Sequence, residues 1–146
     1  MTNDISTANA DATRRLRALV ARLTDNDLTH PVGDGWTVTT ILGHLAFWDR
    51  WQRLTLTAER TDAPSTTTED AANEVLTPLL TAIDPRTAAN LAVQAAHDLD
   101  TAIAQMPDPL RTQLCDGSHP EIVQRAPHRL AHIAQIERAV EKHSTE

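Results

Sequence analysis

The sequence predicts an all-α protein, a four-helix bundle with a crossover connection and one short extra helix. Three observations lead there. Apolar residues recur at helical spacing in four long segments, no segment alternates with the period of a strand, and the second and third long segments are joined by a stretch too long for a hairpin. The 146 residues are expected to form a single domain with its core over about 8–143. A chain of that length buries about two thirds of the surface its unfolded form exposes.

Leu16, Leu19, Val20 and Leu23 stand at i, i+3, i+4 and i+7, which predicts an amphipathic helix from about residue 8 to residue 24. The polar stretch TDNDLTHPVGDG ends it. Thr37 is placed to cap a second helix, about 38 to 60, with Val38, Ile41, Leu42, Leu45, Trp48, Gln52 and Leu56 along one side. Residues 61–68, TDAPSTTT, read as an internal linker, and a short helix with Val75, Leu76 and Leu79, disturbed by Pro78, follows it.

Asp84 followed by Pro85 is a strong start signal, because the Asp side chain accepts from free first-turn N–H groups and Pro has none to leave unpaired. The helix it opens runs to about Met106, with Leu91, Ala95, Leu99, Ala102 and Met106 as its core stripe and His97 on the solvated side. PDPLRTQLCDG reads as a turn-rich connection. Ser118 and Glu121 have the spacing of a capping box, which predicts a last helix from 119 to about 143, kinked or restarted at Pro127.

Composition removes several function classes. The net charge is −7, and no stretch concentrates Lys or Arg with aromatic residues, so nucleic acid is not an expected partner. A single cysteine, Cys115, excludes an internal disulfide framework, and its turn-rich setting with no close cation favours packing over nucleophilic chemistry. No apolar run approaches the length of a membrane span, so the expectation is a cytoplasmic protein without a membrane partner. One lysine against twelve arginines, with abundant Ala and Thr, reads as the bias of a GC-rich genome.

The histidines carry the chemistry. His44 lies on the flank of the second helix's apolar stripe, one turn before Trp48, in GHLAFWDRW. His128 and His132, in HRLAH, stand four residues apart on the flank of the last helix, whose stripe is Leu130, Ile133, Ile136 and Val140. Two imidazoles at that spacing reach one ion, and a bundle that makes the second and fourth helices neighbours supplies His44 as a third ligand. Three ligands leave an open position, the catalytic pattern. The competing reading is a hydrogen-bonded core histidine beside two half-exposed ones. Asp49, Gln135 and Glu137 are candidates to orient the rings, and Arg50 and Arg53 to receive an anionic substrate or cofactor.

GWTVTTILGHLAFWDRWQ resembles the W-[ST]-V-x-x-x-L-x-H-L-x-x-W signature of the DinB/YfiT-like metalloenzymes, and APHRLAHIAQIERAV resembles their second motif, H-x-x-x-H followed by x-x-Q-I. The similarity extends through Asn73 and Glu74 and covers about residues 10–142. It implies a four-helix bundle holding one divalent ion (Zn, Ni or Fe) on His44, His128 and His132. It further implies homodimers and enzymes that use a low-molecular-weight thiol such as mycothiol, with relatives among mycothiol-dependent maleylpyruvate isomerases and bacillithiol transferases.

The resulting expectation is a metal-activated thiolate attacking a small-molecule electrophile in a transferase or isomerase reaction, or a metal-activated water in hydrolysis. The alternatives are a non-catalytic metal- or small-molecule-binding bundle and a structural dimerising bundle without metal. Pro127 departs from the second motif's pattern and bears on where His128 points.

Overall fold

A computed structural model describes residues 2–57 and 66–145. Its long helices are α1 (Thr2–Arg22), α3 (Val38–Thr57), α5 (Pro85–Gln105) and α7 (Ala126–His143). Between them lie α2 (Asp25–Leu28), α4 (Thr66–Thr81) and α6 (Asp108–Asp116), a hairpin of β1 (Pro31–Gly33) with β2 (Trp36–Thr37), and a 3-10 turn at Pro120–Ile122.

Cross-helix contacts set the directions. Asn9 meets the start of α7 and Arg22 meets Glu137 farther along, so α1 and α7 run parallel. His44 and Asp49 meet His128 and Arg125 in reverse order, so α3 is antiparallel to α7. Arg86, at the start of α5, bonds the backbone oxygens of Val20 and Leu23 near the end of α1, so those two are antiparallel. The path is therefore up, down, down, up. α3 and α5 are parallel and packed together, which requires the long connection through α4, and this is the expected crossover.

The core follows the expected stripes on α1 and α3. Leu16, Leu19, Ile41, Leu42 and Leu45 are buried with Ile133, Ile136 and the small residues Ala89, Ala92, Ala95 and Ala96. On α5 the stripe is shifted from expectation, because Leu91 is exposed and alanines take the inner positions. Of the expected stripe Ala95 and Leu99 are buried, and Ala88, Ala89, Ala92 and Ala96 join them, small side chains that let α3 and α5 approach closely. A second cluster of Leu99, Ile103, Ile122 and Val123, with Leu56, Leu114 and Cys115 against it, closes the other end of the bundle.

Several boundaries differ from the sequence reading, each for a local reason. α1 begins at Thr2, ahead of the apolar spacing, and in that added stretch the Ser6 Oγ accepts from Arg111 Nη1 at 3.4 Å. DPLRTQLCD is helix α6, not turn, anchored where Arg111 Nη1 donates to the Ile103 backbone oxygen. The hairpin was not expected, since strands of three and two residues are too short to show alternation; Gly33, Asp34 and Gly35 turn it with φ of +114°, +52° and +78°. The linker expected over 61–68 lies outside the described residues up to 65, as does the end of the second helix at 58–60, and Thr66–Thr68 are already helical in an α4 longer than expected.

The last helix starts at Ala126, not at 119. Glu121 faces the Nδ1 of His119 at 3.0 Å instead of closing a capping box with Ser118. Pro127 thus sits in the first turn, where its missing N–H costs nothing. The N–H groups of that turn are met from another helix: the Asn9 Oδ1 accepts from Arg125 N at 3.0 Å and Ala126 N at 2.9 Å, and Asn9 Nδ2 donates to the Val123 oxygen at 2.7 Å. Asn9 is buried, so Asn9→Ala strands these partners away from water. The expected loss is about 2–3 kcal/mol in urea unfolding; an unchanged midpoint would show that the cap is not formed.

Candidate metal centre

α3 and α7 cross so that His44, on α3, faces the first two turns of α7. One ring nitrogen from each of His44, His128 and His132 lies within 4.8 Å of the other two. The His44 and His128 Nε2 atoms are 3.1 Å apart, and the His132 ring centroid is 4.8 Å from both of the other centroids. The spacing expectation and the fold agree on this juxtaposition: among the described residues it is the group of three or more potential ligands close enough to share an ion.

The other nitrogen of each ring has its own partner. His44 Nδ1 is 3.2 Å from the Asn73 Oδ1, which also accepts from Trp48 Nε1 at 3.0 Å. His132 Nδ1 is 3.0 Å from the Gln135 Oε1. Both outer partners are carbonyl oxygens, so both rings carry their proton on Nδ1 and leave Nε2 with a free lone pair. Asn73 comes from α4, which approaches α3 at Gly43; a Cβ there would stand 2.8 Å from Leu80 Cδ2. His128 differs, because its Nδ1 lies 3.1 Å from Arg125 Nη2, a group that only donates.

Of the expected orienting groups, Gln135 acts directly and Asp49 acts at one remove. Both oxygens of the fully buried Asp49 are taken by guanidiniums, Arg125 Nε on Oδ1 and Arg129 Nε on Oδ2, each at 2.9 Å. Arg129 also reaches Asp100 at 2.7 Å, so two cations and two carboxylates are buried or half-buried together. Glu137 does not orient a ring; it lies on the side of α7 that faces α1 and pairs with Arg22. Arg50 and Arg53 are both exposed, and on the helical projection they fall about 120° and 180° round from His44.

Arg125 and Arg129 escaped the functional reading, though a signal for them exists. Arg129 precedes Ile133 and Ile136 at i+4 and i+7, and Asp49 sits between Leu45 and Gln52 at the same spacings. Opposite charges on two core-facing stripes announce a buried ion pair. Cys115 is half-buried at the far end of the bundle, and burial followed by the neighbouring Asp116 pushes its thiol up.

Burial also holds the three rings neutral. His44 is pushed down to about 4, first by desolvation and then by His132. His128 goes to about 2, first by desolvation and then by Arg125, and His132 is lowered mainly by desolvation. Aromatic rings screen the site: Trp36, delivered by the hairpin, lies 5.2 Å from His44 and Trp48 lies 6.4 Å away. Three neutral imidazoles beside two indole rings are a donor set suited to Zn, Ni or Fe.

The sequence profile of the mycothiol maleylpyruvate isomerase N-terminal domain matches residues 10–132. The chain belongs to that family. The match runs from within α1 to the second turn of α7 and so includes all three histidines. No curated protein and no solved structure is significantly similar to this family member. Among its described residues no helix is long and apolar enough to cross a membrane.

The depressed histidines set a pH dependence. A ring that protonates less readily folded than unfolded favours unfolding once pH falls below its ordinary value of 6.5. Stability is thus fully present above about 6.5 and declines as pH falls through about 4 for His44 and toward about 2 for His128. In urea unfolding, the His44→Asn/His128→Asn double variant is expected to lose less stability than wild type between pH 6.5 and 4.5; parallel curves would refute buried neutral rings.

Proposed function

We propose that this protein is a metal-dependent member of the mycothiol maleylpyruvate isomerase N-terminal domain family, acting on a small electrophile with a low-molecular-weight thiol. The observation that carries the reading is the convergence of His44, His128 and His132, two of them with Nδ1 anchored on a carbonyl oxygen. These three residues would hold one divalent ion. Such an ion, when bound, supplies an open coordination position at which a thiol or a water loses its proton more readily.

The chain's own residues do the rest. Asn73 and Gln135 keep the His44 and His132 rings turned inward and in the ligating tautomer. Trp36 and Trp48 limit water, which favours transfer to a bound electrophile over hydrolysis. The neutral rings require no proton to leave before an ion binds near pH 7. Arg50 and Arg53, the cations expected to receive an anionic thiol or substrate, are exposed on the side of α3 turned away from His44, so they lie apart from the three rings. Thiol chemistry is preferred to hydrolysis because the family is named for a mycothiol-dependent isomerase.

Metal analysis of untagged protein by mass spectrometry is expected to find near one equivalent after incubation with Zn²⁺ or Ni²⁺, and none in His44→Ala or His132→Ala. Asn73→Ala should bind about 10–100-fold more weakly while remaining folded. The loaded protein is then expected to turn over maleylpyruvate or another small electrophile only when mycothiol is added. Absence of metal in wild type would refute the reading, and metal without thiol-dependent turnover would leave a binding protein.

A further inference from the structure

We propose that Arg125 is a latch on His128, holding that ring in the tautomer that cannot ligate through Nε2 until the guanidinium turns away. The inference rests on the reading of the three histidines as a ligand set.

A guanidinium has N–H groups and no acceptor. The 3.1 Å contact of Arg125 Nη2 with His128 Nδ1 therefore makes Nδ1 the acceptor. A neutral imidazole carries a single N–H, so the His128 proton is on Nε2. That N–H points to His44 Nε2 at 3.1 Å, which accepts because His44 keeps its own proton on Nδ1 for Asn73. Every bond in the line from Arg125 through His128 and His44 to Asn73 then has one donor and one acceptor.

Ligation asks for the opposite at one ring. A histidine that binds through Nε2 needs the lone pair there and normally gives its Nδ1 proton to an acceptor. His44 and His132 meet this condition, each facing a carbonyl oxygen. His128 does not. Moving its proton from Nε2 to Nδ1 changes no charge, but it sets Nδ1–H against an Arg125 N–H, donor against donor. Arg125 does not swing freely, since Nε is held by Asp49 at 2.9 Å, Nη1 donates to the Glu121 oxygen at 2.8 Å, and the residue is buried. Metal binding must displace the Nη2 end against those restraints, so the latch lowers affinity and keeps His128 as a conditional third ligand.

Two measurements test it on the full chain. Long-range ¹H–¹⁵N correlation of the histidine rings in wild-type protein freed of metal is expected to show His128 as the Nε2–H tautomer and His44 and His132 as Nδ1–H. With Zn²⁺ all three are expected as Nδ1–H. His128 found as Nδ1–H without metal would overturn the latch, as would a zinc-bound His128 with a proton on neither nitrogen. By competition with a chelating dye, Arg125→Gln is expected to bind Zn²⁺ about tenfold or more tightly than wild type. Equal or weaker binding by a folded variant would sink the latch alone. Zinc bound to neither protein would overturn the ligand reading and the latch together. The tautomer measurement uses wild type, so it decides even if Arg125→Gln fails to fold.

Discussion

The structure turns on the carboxylate of Asp49, buried between two guanidiniums. Charges removed from water cost several kcal/mol each unless they are paired and hydrogen-bonded, and here each Asp49 oxygen has its own Arg Nε. Arg129 passes the interaction on to Asp100 of α5 and to Thr13 of α1, so one network touches all four long helices. Apolar packing is indifferent to small slides along a helix axis. A charge network is not, because one residue of slip would leave a buried ion without its partner. This network therefore specifies the register of α3 against α7, and that register brings His44 opposite His128 and His132.

The same constraint bears on the chemistry. Arg125 is one arm of the network and the hydrogen-bond partner of His128 at once. The group that places the ring also dictates which nitrogen carries its proton. Asn73 and Gln135 serve the other two rings in the ordinary way, through oxygen acceptors. One cluster thus combines two rings whose Nδ1 atoms face oxygen acceptors with a third whose Nδ1 faces a donor.

The helical class, the crossover and the three histidines were legible from the sequence because each rests on local spacing. Helical periodicity exposes the stripes of α1 and α3, i,i+4 spacing puts His128 beside His132, and a long second-to-third connection demands parallel neighbours. What stayed hidden was either too short for periodicity or non-local. The hairpin that carries Trp36 and the helix α6 fall below the length at which a pattern emerges. The start of α7 is invisible to local spacing because its cap, Asn9, lies more than a hundred residues away in sequence.

By itself the sequence determined which histidines lie on core-flanking helix faces, which of them stand one turn apart, and the family to which the motifs point. Those are properties of residue type and of near neighbours along the chain. Tertiary structure alone decided that Pro127 opens α7 rather than bending it, that Asp49 serves two arginines rather than a histidine, and that His128 faces a donor. These depend on which side chains meet across helices, where a hydrogen bond's direction is set by both partners.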